Sequence, residues 1–314
     1  LYLGNGTLLS EQLAYNAAPV IGDQGPNTLV VWTEDRAVAG AEECKRSLHG
    51  AIVTRQGGVL RSFTISQNVL GHARPAVAWN GSAYAVVWES ASSNQLVGML
   101  IDAQGHMLST YATPLTESRA RDPYVTAIMV EPNLAWDGSR FVLVWQRLYR
   151  TDIPFYPDAP AQYDVRRQYL SSMLTLQGVV EIRDSRGLEP TLATGPERTL
   201  IAWRYDGMRN VQIRIVTRET GATIVQRDLG DVDGPLLSAA VGDEFVLIAG
   251  TEVFHVSKQG GATAQEPLLP AGAVASDIQV EGERVSIAYT LAHRAYVRVI
   301  NATGKPGRRR SVGR

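Results

Sequence analysis

Residues 75–89 read PAVAWNGSAYAVVWE, and the stretches EPNLAWDGSRFVLVWQ at 131–146 and EPTLATGPERTLIAWR at 189–204 repeat the same pattern. In each stretch a proline is followed thirteen residues later by a tryptophan, and Pro19 and Trp32 form an earlier pair at the same spacing. Successive tryptophans of this series lie 56, 57 and 58 residues apart. The chain is therefore an array of repeats rather than a set of unrelated segments.

The repeat at 75–113 is the clearest guide to its local structure. Two apolar runs, 75–79 and 84–88, flank Asn80-Gly81, and this dipeptide between apolar runs is a strong hairpin signal because both residues tolerate positive φ. Neither run alternates with polar residues, so both faces of these strands should be covered. A third strand at 95–102 and a fourth at 106–113 follow, with a turn at 103–105. One repeat thus predicts four antiparallel strands, called A to D from here on.

A single four-stranded sheet with two apolar faces needs neighbours on both sides, and radial stacking supplies them. We therefore predict an all-β fold, a β-propeller of four-stranded antiparallel blades forming one domain over residues 1–314. Six A–B hairpins indicate six blades, with seven as the alternative. Residues 1–16 resemble a C–D pair and are expected to complete the last blade and close the ring. The predicted repeats are 17–70, 71–126, 127–186, 187–233, 234–272 and 273–314.

Composition narrows the classes of partner. The 314 residues are 45% hydrophobic and carry a net charge of −1, so no global field favours nucleic acid, and no apolar stretch has the length of a membrane helix. Cys44 is the single cysteine, which excludes an intrachain disulfide and a cysteine-based zinc site. The five histidines are not at metal-ligand spacings. The sequence predicts no cofactor, no metal, no nucleic acid and no direct insertion into a membrane.

The B–C connections are where the repeats differ most. Residues 33–47 are long and charged, and residues 147–164 are longer and rich in proline and aromatic residues. The A–B and C–D turns, in contrast, are short. Long loops on a rigid scaffold commonly carry function, and aromatic residues are frequent binding anchors. We therefore expect the B–C face to be the binding face, although such a loop can also simply cover an apolar patch of its own.

Residues just before the A-strand prolines and just after the B-strand tryptophans should form a polar ring at the channel mouth on that face. A solvated rim, a polar ligand pocket and an active site are the three alternatives for this ring. Together with the loops, it supplies the candidate binding residues, and no residue is assigned a catalytic role. The candidates are Glu34, Asp35, Arg36, Arg74, Glu89, Glu131, Arg147, Tyr149, Phe155, Tyr156, Tyr163, Glu189, Arg204 and Tyr205.

The tryptophans could stack on sugar rings, as in lectins, or pack between blades. Trp32, Trp88, Trp145 and Trp203 recur at one position at the end of an apolar strand. Because the fold sets this position in every repeat, packing between blades is favoured over sugar binding.

The wording A-W-[ND]-G-S-x-[YF]-x-[VL]-V-W at 78–88 and 135–145 resembles the repeat of bacterial secreted β-propeller proteins, notably of the myxobacterial type. The resemblance covers nearly the whole chain when its degenerate copies are counted. It implies a secreted, cell-surface or periplasmic bacterial protein that binds a protein or glycan partner without catalysis. The scarcity of cysteine fits that location.

Two other functions stay open at this point. A hydrolase or lyase would need an acid–base pair at the channel mouth, and Glu131 and Glu189 are the glutamates that the register brings to it. A structural subunit of a larger extracellular or envelope assembly would instead dock its loops into neighbouring chains.

Overall fold

The structure is a computed structural model that describes residues 19–22, 24–36, 45–70, 74–93, 95–116, 125–151, 162–205, 210–242, 244–264, 269–281, 284–291, 294–301 and 306–311. Within these ranges the regular structure is strand, arranged in four-stranded antiparallel sheets. The chain divides into two compact units, Leu1–Ser185 and Arg186–Arg314. The described residues contain no helix that is long and apolar enough to cross a membrane.

The first unit contains three sheets in the part of it that is described. Sheet 1 has the order β1-β2-β3-β4, sheet 2 β5-β6-β7-β8, and sheet 3 β12-β11-β10-β9. Each strand pairs with the next one along the chain, as expected for a meander. The strands are β1 Val20–Gly22, β2 Thr28–Arg36, β3 Lys45–Val53, β4 Val59–Val69, β5 Ala76–Trp79, β6 Ala83–Glu89, β7 Leu96–Asp102, β8 Thr113–Pro114, β9 Val125–Trp136, β10 Phe141–Thr151, β11 Gln162–Leu170 and β12 Leu176–Ser185.

The described part of the second unit repeats this plan. Sheet 4 has the order β13-β14-β15-β16, sheet 5 β17-β18-β19-β20, and sheet 6 β21-β22-β23-β24. The strands are β13 Gly187–Thr194, β14 Arg198–Tyr205, β15 Asn210–Thr217, β16 Thr223–Asp231, β17 Leu236–Val241, β18 Glu244–Ala249, β19 Glu252–Val256, β20 Ala262–Ala264, β21 Val274–Glu281, β22 Arg284–Leu291, β23 Arg294–Asn301 and β24 Pro306–Ser311.

Sheet 2 shows how the apolar runs are used. All seven residues of β6 are buried, because each face of the strand packs against a neighbouring sheet. Tyr84, Val86 and Trp88 join a core with Leu29 and Leu48 of sheet 1. Ala83, Ala85 and Val87 face the other way and join a core with Phe141, Leu143 and Trp145 of sheet 3. Strand β6 therefore lacks alternating polar residues because both of its faces are covered, as the sequence predicts.

The second unit is built in the same way. One core joins Leu200 and Ile213 of sheet 4 to Phe245 and Leu247 of sheet 5. A second core joins the opposite face of sheet 5, through Val246 and Ile248, to Ile287 and Tyr289 of sheet 6. The tryptophans of the repeat are buried here and in the first unit, with 2% exposure for Trp32 and Trp88, 4% for Trp145 and 0% for Trp203, as a packing role requires.

The predicted strands of sheet 2 need one correction. Strands A, B and C lie where the sequence places them, but the fourth strand was predicted at 106–113 and is Thr113–Pro114. Met107 makes only an isolated bridge to Ile101, because Asp102 holds the chain in a turn by accepting backbone hydrogen bonds from Gln104 and His106. In sheet 6 the fourth strand is β24, and residues 1–16, predicted to complete that sheet, lie outside the described residues.

The turn at Asn80-Gly81 forms a hairpin for a reason different from the one predicted. Gly81 has a φ of 97°, but Asn80 is not among the described residues with positive φ. The Asn80 side-chain oxygen instead accepts hydrogen bonds from the backbone N–H groups of Ser82 and Ala83, at 2.9 and 2.8 Å. Asn80 therefore stabilises the turn through its side chain, as asparagine does in Asx turns.

The B–C connections are shorter than the sequence predicted. In sheet 1 the pairing of β2 with β3 continues to Arg36 opposite Lys45. In sheet 3 the pairing of β10 with β11 continues to Tyr149 opposite Gln162. Much of the predicted loops 33–47 and 147–164 is thus strand, because their charged residues bond across the ladder, and residues 37–44 and 152–161 between the strands lie outside the described part of the chain.

Candidate functional site

Glutamate-proline pairs form a bulge opposite the buried tryptophan in two sheets. In sheet 3, Glu131 and Pro132 of β9 lie opposite the single residue Trp145 of β10. In sheet 4, Glu189 and Pro190 of β13 lie opposite Trp203. Proline lacks an N–H for the ladder, so a bulge is one of the few places within a sheet that accepts it. In sheets 1 and 2, in contrast, Pro19 and Pro75 of the same proline–tryptophan spacing directly precede β1 and β5, and no bulge is formed there.

Both glutamates of these bulges have a strained backbone. The φ angle is 55° at Glu131 and 50° at Glu189, in the left-handed region that residues other than glycine rarely adopt. A following proline disfavours compact backbone conformations further. Such strain costs about 1–3 kcal/mol and persists only where the surrounding ladder imposes it. The two sheets therefore aim a carboxylate from the same unusual backbone position.

Three of the polar residues that directly follow the tryptophans are buried. Glu89 is 1% exposed, Gln146 7% and Arg204 9%. They are buried because they lie within strands β6, β10 and β14, whose pairing with the next strand continues past the tryptophan. Polar groups at such positions need partners inside the protein.

Arg204 illustrates how one such group is satisfied. Its Nε donates to Oε2 of Glu189 at 3.1 Å, and its Nη1 donates to the backbone carbonyl of Val232. The Glu189 side chain is 55% exposed and that of Arg204 is 11% exposed, so the pair runs from the surface into the sheet. Tyr205 follows at the end of β14 and is half-buried. The structure thus brings together two of the predicted residues, Glu189 and Arg204.

In sheet 2 the corresponding two positions carry the opposite charges. Arg74 precedes Pro75 as Glu189 precedes Pro190, and Glu89 follows Trp88 as Arg204 follows Trp203. Arg74 is half-buried and Glu89 is buried. The repeat therefore keeps a polar pair of positions while changing which member carries the positive charge.

The B–C end of sheet 3, where β10 is followed by β11, carries a network of three charged residues. Arg147 Nε and Nη2 lie 3.1 and 2.5 Å from the two carboxylate oxygens of Asp164, which is the two-pronged geometry that guanidinium favours. Arg166 approaches the same carboxylate, with Nε 3.2 Å from Oδ1. Side-chain exposure is 25% for Arg147, 15% for Arg166 and 8% for Asp164. We call these residues the Arg–Asp–Arg network.

The B–C end of sheet 1 carries a different cluster at the equivalent strand positions. Trp32 Nε1 donates to Glu34 Oε1 at 2.8 Å, and Glu34 Oε2 lies 3.4 Å from His49 Nε2. Ser47 Oγ lies 2.8 Å from the same nitrogen. A serine–histidine–acid relay needs the hydroxyl and the carboxylate on different ring nitrogens. Here both meet Nε2, so the cluster is a polar contact rather than a catalytic relay.

Several predicted site residues are only partly described. Phe155 and Tyr156 lie outside the described residues, and of Asp35, Arg36 and Tyr149 only the backbone is described, in strands β2 and β10. Tyr163 is half-buried on β11, opposite Leu148. Glu131 and Glu189, the predicted acid pair, each occupy a bulge in a different unit.

Sequence reasoning missed four residues that the structure adds to these sites. They are Ser47, His49, Asp164 and Arg166, all on third strands. Their signal would have been the alternation of charged residues at the ends of the predicted loops, which indicates that the strands continue. Among the described residues no group of three or more histidine, cysteine, aspartate or glutamate side chains could hold a metal ion.

No protein-family model matches the chain, and a search of curated protein sequences found no match. Solved structures do resemble it. A prolyl endopeptidase is 17% identical with a TM-score of 0.52, covering 93% of this chain and 42% of its own. The acylaminoacyl peptidase of Pyrococcus horikoshii is 8% identical with a TM-score of 0.54, covering 95% of this chain and 46% of its own.

A third similar structure is the subtype N10 neuraminidase-like protein of A/little yellow-shouldered bat/Guatemala/060/2010. It is 11% identical with a TM-score of 0.50, covering 91% of this chain and 92% of its own. The chain spans less than half the length of the two peptidases. At these identities the likeness concerns the fold alone, and the structures it involves are β-propeller domains. The described part of the chain is thus all-β, and its four-stranded sheets match β-propeller structures.

Proposed function

We propose that this chain is a non-catalytic binding module that engages a protein or glycan partner through the B–C ends of its sheets. We further propose that it works outside the cytoplasm of a bacterium, on the resemblance of its repeat to secreted β-propeller proteins. We also propose that its sheets are the blades of one closed six-bladed ring. A rigid array of sheets that differs mainly at one set of connections is well suited to recognition.

The observation that carries the proposal is the Arg–Asp–Arg network in sheet 3. It lies at the strand ends from which the longest predicted loop departs, and all three of its members are partly or largely buried. Charged groups are costly to bury, so a network of them at a sheet end is unexpected if packing alone shaped the site. The opposite ends of the same strands carry short turns instead.

A capture experiment tests the proposal. The intact chain and a variant with residues 152–161 replaced by a glycine-serine linker are immobilised and incubated with an extracellular fraction of the native source. The matched control carries the same type of linker in place of the C–D turn at 54–58, at the other end of sheet 1. We expect a partner that is retained by the intact chain and the control and lost by the 152–161 variant.

Equal capture by all three proteins would contradict the use of this B–C connection. A partner retained in a fixed one-to-one complex that withstands high salt would favour a structural subunit instead. That outcome is recognised by co-elution of the two chains in size-exclusion chromatography.

One observation supports the hydrolase or lyase alternative. Glu131 and Glu189 hold left-handed backbone conformations, and strain of this kind is common at active sites. Replacing either glutamate by glutamine should abolish turnover of polysaccharide or peptide substrates if the alternative is right. Binding by the module should instead survive both replacements.

A further inference from the structure

We infer that the outer rim of sheets 2 and 3 binds the surface of an anionic lipid bilayer. The inference concerns a surface other than the B–C ends and goes beyond the function proposed above. Five exposed apolar or aromatic side chains of the first unit form this surface. We call them the rim patch, which consists of Met107, Leu108, Tyr111, Met173 and Leu176.

The patch begins where sheet 2 has almost no outer strand. The outer strand β4 of sheet 1 has 11 residues and β12 of sheet 3 has 10, whereas β8 has 2. Residues 106–111, which precede β8, are all exposed. Exposure is 44% for Met107, 53% for Leu108 and 83% for Tyr111. The Ser109 hydroxyl donates to the Tyr111 carbonyl at 2.9 Å and so holds this segment in its irregular shape.

Sheet 3 contributes the other two residues of the patch. Met173 in the C–D turn is 68% exposed, and Leu176 at the start of β12 is 49% exposed. This turn lies against sheet 2, because Asn80 Nδ2 donates to the Ser172 carbonyl at 3.2 Å. The two sheets therefore present their exposed side chains on neighbouring parts of the rim.

The rim patch adjoins a buried core. Leu176 lies opposite Leu170 in the ladder, and the Leu108 N–H donates to the Leu100 carbonyl at 2.9 Å. Leu170 and Leu100 both belong to the core that joins sheets 2 and 3. The patch thus continues that core to the surface. Apolar residues exposed together in this way, unlike single ones, usually mark a binding surface.

Positive charge borders the patch on the side of sheet 1. Arg55 and Arg61 are exposed, and neither forms an ion pair within the part of the chain that the structure describes. The Arg61 side chain packs beside Gly105, two residues before Met107. The net charge of −1 averages over the whole chain and does not reveal this local excess.

The carboxylates at the turn ends of these sheets do not cancel that charge. Asp102 Oδ2 lies 2.9 Å from His106 Nδ1, and the buried Asp137 accepts from Arg140 Nε at 3.1 Å. The described turns of sheets 1 to 3 contain no other acidic residue. An apolar surface bordered by arginines complements anionic lipid, because its side chains enter the headgroup region while the guanidinium groups meet phosphates.

The shape of the patch favours a bilayer over a folded protein. Its side chains project from a turn, an irregular segment and the start of a strand, and the least exposed of them is 44% exposed. Anchors of protein interfaces are typically held in well-packed pockets, whereas a fluid bilayer accommodates side chains that project one by one. Tyrosine at headgroup level is also typical of membrane surfaces. The chain would lie on the bilayer and not span it.

Flotation of the full chain with lipid vesicles tests the inference. Vesicles of phosphatidylcholine alone are compared with vesicles that also contain the anionic lipid phosphatidylglycerol. We expect binding to the anionic vesicles that weakens as salt screens the arginines. Leu108→Ser and Tyr111→Ser should each weaken binding several-fold, because apolar area no longer enters the lipid. Arg61→Gln should weaken it about fivefold, whereas Arg61→Lys should retain it.

The matched controls lie on the outer strand β16 of sheet 4. Ile224→Ser and Arg227→Gln change an exposed isoleucine and an exposed arginine, but there the exposed acids Glu219 and Asp228 accompany them. Neither substitution should change vesicle binding. All the substituted residues are exposed, so the variants should fold, and circular dichroism checks that they do.

No binding to the anionic vesicles, or equal binding by the wild type and Leu108→Ser, would overturn the inference. Equal losses for Ile224→Ser and Leu108→Ser would overturn the assignment to the rim patch. Absence of vesicle binding, combined with a dimer in size-exclusion chromatography that Leu108→Ser dissociates, would assign the patch to a second copy of the chain. The capture experiment is independent, because it changes residues 152–161 and leaves the rim patch intact.

The same capture experiment, run with Leu108→Ser, distinguishes a protein ligand of the patch. A partner lost by Leu108→Ser while vesicle binding stays unchanged would assign the patch to that protein and overturn the bilayer. Retention of the partner with loss of vesicle binding is the result we expect.

Discussion

The two ends of the sheets use polar side chains differently. At the A–B turns of sheets 2 and 3, Asn80 and Asp137 satisfy backbone N–H groups two and three residues away. At the B–C ends, Arg147 reaches Asp164 on the next strand, and Arg204 reaches Glu189 across a bulge. One end is held by contacts local in sequence and the other by contacts that exist only once the strands are in register. The difference teaches that the B–C ends can vary from sheet to sheet while the turns stay alike.

Removal of the Asp164 carboxylate should give the largest effect. Asp164→Ala leaves two partly buried guanidinium groups without this acceptor. We expect a loss of about 2–3 kcal/mol in the free energy of unfolding, below the roughly 3–5 kcal/mol of fully buried pairs because Arg147 reaches solvent. Urea denaturation followed by tryptophan fluorescence measures the change. Asp164→Asn, which keeps one acceptor oxygen but no charge, should lose less, and equal losses would show that the charge alone accounts for the effect.

At the A–B turns, the loss of stability on replacing the turn side chain should depend on how deeply that side chain is buried. Asp137 and Asn80 occupy the same turn position, but Asp137 is 3% exposed and its carboxylate also accepts from Arg140 Nε at 3.1 Å, whereas Asn80 is half-buried. We expect Asp137→Ala to cost about 2 kcal/mol and Asn80→Ala about 1 kcal/mol, because only the first leaves donors away from water. The same denaturation experiment compares them. A larger loss for Asn80→Ala would mean that turn geometry outweighs burial.

The contrast between the two ends also explains what could be read from the sequence. Turns such as Asp137-Gly138 depend on neighbouring residues, so the sequence predicts them and the strands that they join. The pairing of Arg147 with Asp164 depends on where the strands end across an intervening connection, so the sequence alone suggested a loop there. The Glu131-Pro132 bulge falls between these cases. A proline inside an otherwise apolar strand indicates a bulge, but the left-handed backbone of Glu131 follows only from the ladder.

Substitutions at Glu189 test whether the backbone of the bulge is strained. Glu189→Ala and Glu189→Gly both remove the carboxylate paired with Arg204, but only glycine relaxes a φ of 50°. We expect the glycine variant to be more stable than the alanine variant by about 1 kcal/mol. Thermal and urea unfolding of the two proteins give the comparison. If alanine proves the more stable, the left-handed conformation at this position is not a source of strain.

The smallest effect concerns acid pH at a turn. Burial, which alone would raise the pKa of Asp102, is outweighed by hydrogen bonds from the His106 backbone and side chain and the Gln104 backbone, so its pKa is lowered from the usual value of an aspartate. A carboxyl with a lowered pKa stabilises the fold above its unfolded pKa of about 3.9. That contribution is lost as the pH falls through the lowered value.

Wild type should therefore lose more stability than Asp102→Asn between pH 5 and pH 3. The difference should stay below about 1 kcal/mol because the turn is exposed and solvent screens its charges. Urea denaturation at each pH measures it. The contrast with Asp164 is the point of the experiment: a turn carboxylate held by adjacent N–H groups gives a small, pH-dependent contribution, whereas one held between two arginines across strands gives a large one. Parallel pH profiles for wild type and Asp102→Asn would show that the turn bonds do not favour the charged form.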